Sequence, residues 1–270
     1  MSEIRRVAAL GSSFAAGPII DPVVDAGAGR SARNYPHLLA EILGAELVDR
    51  TVSGATTASI LDVPQVTMTG EVFAPQIEGL PSDADLVTIT AGGNDLRFIS
   101  SLLYTAWRRV EPTGPHAGFF EQEFPHGITV PTPREVDGAA SGLARIVAEV
   151  RSRAPKARVV LVDYLTVLSP DVEASDDAPF DDESIGDLLQ IQSTVVRAFE
   201  LAAERSGAEL VRVSAASSGH GLGTPEPWVF GLQRSMERVG GSFHPNEEGM
   251  RAVAELIAAH LARHPQQPAN

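Results

Sequence analysis

The strongest constraint on this chain is an alternation of short apolar runs with stretches of helical periodicity. Runs rich in Val, Ile and Leu lie at residues 7–10, 45–52, 85–90, 157–165 and 208–213. Several are near-continuous rather than alternating, the pattern of strands covered on both faces. Helices are expected at 95–109, 134–153, 182–205 and 247–263, and in NYPHLLAEILG, where Asn34 can cap, Pro36 suits a first turn and Gly44 can end the helix. Strand–helix alternation with crossovers of this length predicts a parallel sheet wrapped by helices, and ligands of such sheets sit beyond the carboxyl ends of the strands. The 270 residues fit one domain, expected over 1–265, with 266–270 as a flexible tail.

Charge and composition narrow the class of partner. With 21 basic and 35 acidic side chains the formal charge is −14, which repels nucleic-acid backbones and anionic lipid headgroups. No apolar run reaches bilayer length, and the start, MSEIRRVAALGSS, lacks a signal-peptide layout, so neither membrane insertion nor export is expected and a cytoplasmic location is. The absence of cysteine removes disulfides, thiolate metal sites and thiol nucleophiles, leaving oxygen or nitrogen for any covalent chemistry. Two segments break the alternation. Residues 111–133 combine Pro and Gly with Phe119, Phe120, Phe124, Ile128 and Val130, and read as either an apolar flap over a pocket or a surface excursion packed on itself. Residues 169–184 hold seven carboxylates without EF-hand spacing or its glycine, and read as a solvated loop leading into an acidic first helical turn; no metal is expected. Oligomeric state is not encoded in any pattern found.

The first strand runs directly into Gly11-Ser12-Ser13-Phe14-Ala15-Ala16-Gly17. Small residues there make a tight turn that can expose a hydroxyl and backbone N–H groups. A Walker-type phosphate loop is excluded because no lysine closes the turn, whereas a flavin-phosphate loop and a serine nucleophile both remain. Similar turns follow the next two runs, Ser53-Gly54-Ala55-Thr56-Thr57 and Gly92-Gly93-Asn94-Asp95. In a parallel sheet the three turns share one edge. The Ser13 N–H, the Gly54 N–H and the Asn94 side chain could then donate to an oxyanion. A hydroxyl nucleophile needs a base, and histidine has the matching pKa. Of the seven histidines, His37, His116, His126, His260 and His264 read as surface or helix-end residues. His220, in a turn, could line a pocket. His244 stands directly before the last helix in Gly241-Ser242-Phe243-His244-Pro245-Asn246, where Pro245 and Asn246 can hold the loop entering the helix.

Taken together, these blocks resemble the SGNH hydrolases, the GDSL esterase/lipase family, with Ser13 in GSSFAAG, Gly54 in SGATT, Asn94 in GGND and His244 in HPN, in family order across the whole chain. GHG followed by Pro227-Trp228 is similar to the actinobacterial esterase and phospholipase branch. The resemblance implies a three-layer αβα, flavodoxin-like fold with five parallel strands, ester hydrolysis through an acyl-Ser13 with His244 as base, and no cofactor. Short- to medium-chain soluble esters are the expected substrates. A non-catalytic or flavin-binding module on the same fold, and an acyltransferase, are the alternatives. Two positions depart from the family pattern. Ser12 replaces an aspartate that braces the first turn, and Gly241 stands where many members place the third triad residue, three before the histidine. The carbonyl of Gly241 or of Ser242 is expected to orient the imidazole in its place, giving a Ser–His dyad.

Overall fold

The computed structural model describes residues 4–265; the expected tail at 266–270 lies outside the described residues. A central parallel sheet is built from β1 (Arg6–Gly11), β2 (Glu46–Asp49), β3 (Leu86–Thr90), β4 (Arg158–Val162) and β5 (Glu209–Val211), in the spatial order β2-β1-β3-β4-β5. The five expected runs therefore all form strands, each aligned in parallel register, for example Ala9 with Asp49 and Thr88. β3 and β4 are buried along their whole length, Thr88, Thr90 and Arg158 included, as strands covered on both faces are. This is the doubly wound order in which the chain reverses direction between β1 and β3, leaving a crevice at the carboxyl ends of those two strands.

Nine helices are found among the described residues: α1 (Ser13–Ala16), α2 (Tyr35–Leu43), α3 (Thr57–Leu61), α4 (Phe98–Val110), α5 (Pro115–Glu121), α6 (Pro133–Arg153), α7 (Asp182–Ser206), α8 (Val213–Ala216) and α9 (Glu247–Arg263). Helix α2 packs on α9, while α6 packs on α3 and α7, and α4 on α7, so the helices form two layers about the sheet. The helix ends follow local chemistry. Asn34 accepts the His37 N–H at the start of α2, Gly44 ends it with φ of 64°, and Asn246 accepts the Gly249 N–H at the start of α9.

Two boundaries differ from the sequence expectation in ways that matter to the site. The run expected to extend to residue 165 stops pairing at Val162. Asp163 turns away to accept the Ser214 N–H at 2.9 Å and its hydroxyl at 2.6 Å, which leaves Tyr164 at the sheet's carboxyl edge. The second run, expected over 45–52, is strand only through Asp49; the Arg50 and Val52 N–H groups still donate to Ala9 O and Gly11 O, and Thr51 is fastened to the Asp49 carboxylate ahead of the Gly54 turn. Segment 111–133 contains α5, packed on α4; Phe124 is buried with its ring 5.1 Å from Tyr104, and Trp107 stacks on His116 at 4.2 Å. These contacts tie the aromatic residues of the segment to the neighbouring α4. Short antiparallel ribbons at 23–31 and 65–73 were not foreseen.

Candidate active site

The nucleophile turn is set by β1. Gly11 is the last strand residue, and a Cβ there would stand 2.5 Å from the Thr90 carbonyl oxygen, so glycine is what lets β1 and β3 close up at their ends. The buried amide of Gln76 clasps the same residue from the side, accepting the Gly11 N–H at 2.8 Å and donating to its carbonyl at 2.9 Å. The Ser12 N–H then donates to Thr90 O at 2.9 Å, and its carbonyl receives the Ala15 and Ala16 N–H groups. Ser13 is left as the first residue of α1, with an N–H that has no intrahelical acceptor.

At the other end of the chain, the loop before α9 is clamped to the segment 227–233. Phe243 N–H donates to Phe230 O, Phe230 N–H to His244 O, and Asn246 N–H to Trp228 O, while the Asn246 amide reaches Pro227 O. Phe243, at φ of 63°, turns the chain sharply and is wholly buried. This clamp presents the His244 ring to Ser13: His244 Nε2 and Ser13 Oγ are 2.7 Å apart across 231 residues of sequence. On the far side of the ring, Nδ1 lies 2.9 Å from the carbonyl oxygen of Ser242. A carbonyl can only accept, so Nδ1 carries the proton and Nε2 offers its lone pair to the serine. Of the two carbonyls expected to do this, Gly241's does not; it receives the backbone N–H of His244 at 3.1 Å instead. Both Ser13 and His244 are buried, and desolvation takes the imidazole down to about 4, with the Ser242 bond pulling weakly upward.

The other two blocks reach the same edge. Gly54, at φ of 80°, sits in a turn closed by Ser53 N–H to Ala28 O and Ala55 N–H to Val52 O, bonds in which its own N–H takes no part. Asn94 donates one amide hydrogen to Ala55 O at 2.8 Å, which joins the second and third turns and leaves the other hydrogen for a ligand. Next to it, the Asp95 carboxylate fixes the start of α3 through the Thr57 N–H and hydroxyl. The remaining histidines are placed elsewhere. His220 stacks on Trp228 at 3.9 Å with Nδ1 on Glu226 O, His37 bonds Asn34, His260 bonds Glu209, and His126 and His264 are exposed. Two participants escaped the sequence reading, Gln76 and Tyr164. Tyr164 carried a signal, a polar aromatic at the carboxyl end of a buried run; Gln76 carried none.

Such a doubly wound fold, with a serine bonded to a histidine at the chain-reversal crevice, defines a class of serine-dependent ester hydrolases. Comparison with known proteins narrows this. The chain belongs to the GDSL-like lipase/acylhydrolase family, whose profile matches residues 9–252. It is 34% identical over 258 residues to Lipase 2 of Streptomyces coelicolor, a match covering 92% of this chain and 82% of that one. Among solved structures it is similar to an extracellular lipase from Streptomyces rimosus, with a TM-score of 0.69 at 21% identity over 94% of this chain and 99% of that one. It is also similar to phospholipase A1 from Streptomyces albidoflavus, with a TM-score of 0.71 at 18% identity over 95% and 98%. Both show the same fold. The protein is a carboxylic ester hydrolase of this family. No helix among the described residues is long and apolar enough to cross a membrane.

Proposed function

We propose that hydrolysis proceeds through an acyl-Ser13 intermediate on a Ser–His dyad. The observation that carries this is the 2.7 Å contact between Ser13 Oγ and His244 Nε2. Ser13 Oγ attacks the ester carbonyl carbon while its proton passes to His244 Nε2. The carbonyl oxygen, now anionic, is received by the N–H groups of Ser13 and Gly54 and the free amide hydrogen of Asn94. Collapse of the tetrahedral species breaks the bond to the leaving alkoxide, which takes the proton from His244 and departs as alcohol. Water then attacks the acyl-serine and gives its proton to His244; collapse breaks the acyl–Oγ bond, the His244 proton passes to Ser13 Oγ, and the carboxylic acid departs from the free enzyme.

The dyad works without a carboxylate partner. Ser242 O holds the ring in the correct tautomer but contributes a dipole rather than a full charge to the imidazolium, which makes orientation its main role. We infer one hydrolase unit over residues 1–265, and short- to medium-chain soluble esters as substrates, in keeping with the charge of −14, which disfavours anionic membranes.

Ser13→Ala tests the assignment. Turnover of a p-nitrophenyl ester of short chain should vanish, and a fluorophosphonate probe should label the wild-type chain at Ser13 alone. Retained turnover in the variant, or a label elsewhere, overturns the reading. A series of esters of rising acyl length then fixes the chain preference.

A further inference from the structure

Two residues that immediately precede members of the site meet at one phenol. Ser12, before Ser13, shares a 2.9 Å hydrogen bond with the Tyr164 hydroxyl, and Gly93, before Asn94, donates its N–H to the same oxygen at 3.2 Å. Ser12 occupies the cap position of α1 with extended backbone, yet its hydroxyl makes no capping bond. It is turned instead toward the tyrosine. Ser12 and Tyr164 are both closed off from solvent. The ring is held by Phe14 at 4.3 Å and Phe199 at 6.0 Å between centroids. Gly93 is what admits it: a Cβ there would lie 2.6 Å from Tyr164 Cε1 and 2.8 Å from its hydroxyl oxygen.

We propose that Tyr164 is a positioning residue for ester hydrolysis: its hydroxyl latches the turn carrying Ser13 to the turn carrying Asn94, and so sets the nucleophile against the amide that receives the oxyanion. This rests on the assignment of Ser13 and Asn94 above. The Ser12 hydroxyl meets the phenol, and the phenol, reaching in from the end of β4, carries the connection on to the Gly93 N–H. It thereby takes over the bracing that the family resemblance assigns to an aspartate at position 12. Tyr164 touches no reacting atom and acts only through Ser12 and Gly93. Burial raises its phenol far above the ordinary range, so the latch stays neutral and protonated at any pH at which the enzyme would work.

Tyr164→Phe removes one oxygen and keeps the ring packed on Phe14. Misplacement of reacting groups by about 1 Å can cost roughly a hundredfold, so kcat should fall about ten- to a hundredfold while KM changes less than about threefold. The rate of fluorophosphonate labelling at Ser13 should fall in parallel, with the final extent unchanged. Ser12→Ala breaks one arm of the latch, and the double variant should lose little more than Tyr164→Phe alone, because both changes act through one bond. A Tyr164→Phe protein that keeps wild-type kcat and labelling rate while only its melting temperature drops overturns the proposal, as do losses that multiply in the double variant. A probe that labels the wild-type chain away from Ser13 overturns the underlying assignment as well, and the wild-type experiment alone reveals that case.

Discussion

The side chain of Ile19 fills the place where a side chain at position 241 would begin. A Cβ on Gly241 would lie 2.2 Å from both Ile19 Cδ1 and Cγ1. Ile19 itself is held at φ of 63°, a region that β-branched residues almost never adopt. The segment just after the nucleophile turn and the histidine loop are therefore packed together through this contact, and a carboxylate three residues before His244 would have to displace the Ile19 side chain. Gly241→Asp should accordingly fail to create a triad. The expected result is a loss of stability of about 1–3 kcal/mol from overpacking, read as a lower urea midpoint, with no gain in kcat.

Asn94 combines a bond to the second turn with the proposed oxyanion contact, and a single substitution removes both. One amide hydrogen ties it to Ala55 O at 2.8 Å, and the other is the one proposed to receive the oxyanion. Asn94→Ala should lower kcat by about 10²–10³, the usual cost of one lost oxyanion donor, with KM moving far less. Steady-state kinetics on a chromogenic ester read this directly. An effect mainly on KM would place the amide against the ground-state substrate instead.

How much of this was legible beforehand follows from range. The five strands and the long helices carry their own periodicity and caps, so α9 was expected over the residues it occupies and α2 was expected with its Asn34 cap and Gly44 end. The pairing of Ser13 with His244 came from motif order, since nothing local links residues separated by 231 positions. What the sequence hid were contacts made by one side chain across the fold. Gln76 grips Gly11 from 65 residues away, and Tyr164 joins two turns it does not neighbour in sequence. The choice of Ser242 over Gly241 as the histidine's acceptor was equally hidden, because both are backbone carbonyls and only the turn geometry separates them.

Away from the site, Arg158 is nearly buried at the amino end of β4 and makes two 2.5 Å bonds to the Glu209 carboxylate on β5, which His260 also reaches at 2.7 Å. Removing one partner of a buried pair strands the other charge, a cost of roughly 3–5 kcal/mol when both are fully buried. The Glu209 side chain is 34% exposed, so solvent screens part of this and Glu209→Ala should cost about 2 kcal/mol. Arg158→Met, which removes the buried charge and keeps an apolar stem, should cost less. Chemical denaturation of the two variants checks the order.

Acid should act on activity and on stability through different groups. In the proposed mechanism His244 must be neutral to accept the Ser13 proton, and burial takes its pKa to about 4 from 6.5. The acid limb of kcat/KM should thus fall near pH 4 rather than near 6.5. For folding, a histidine depressed in the native state takes up its proton first in the unfolded chain. Its contribution is whole above 6.5 and is lost as pH falls toward 4, at about 1.4 kcal/mol for each unit of pKa displacement. Asp163 has the opposite sign. Burial raises its carboxyl to about 6 from 3.8 against the opposing bonds from Ser214, so its penalty is present above 6 and is relieved as pH falls toward 3.8. The two effects oppose one another across nearly the same interval. His244→Ala removes one of them and leaves the Asp163 effect common to both proteins, so its stability relative to the wild type should rise as pH falls from 6.5 toward about 4, the window set by His244. Urea midpoints of the two proteins at several pH values measure this, and a constant difference across the interval would mean that His244 titrates in the native protein as it does in the unfolded chain.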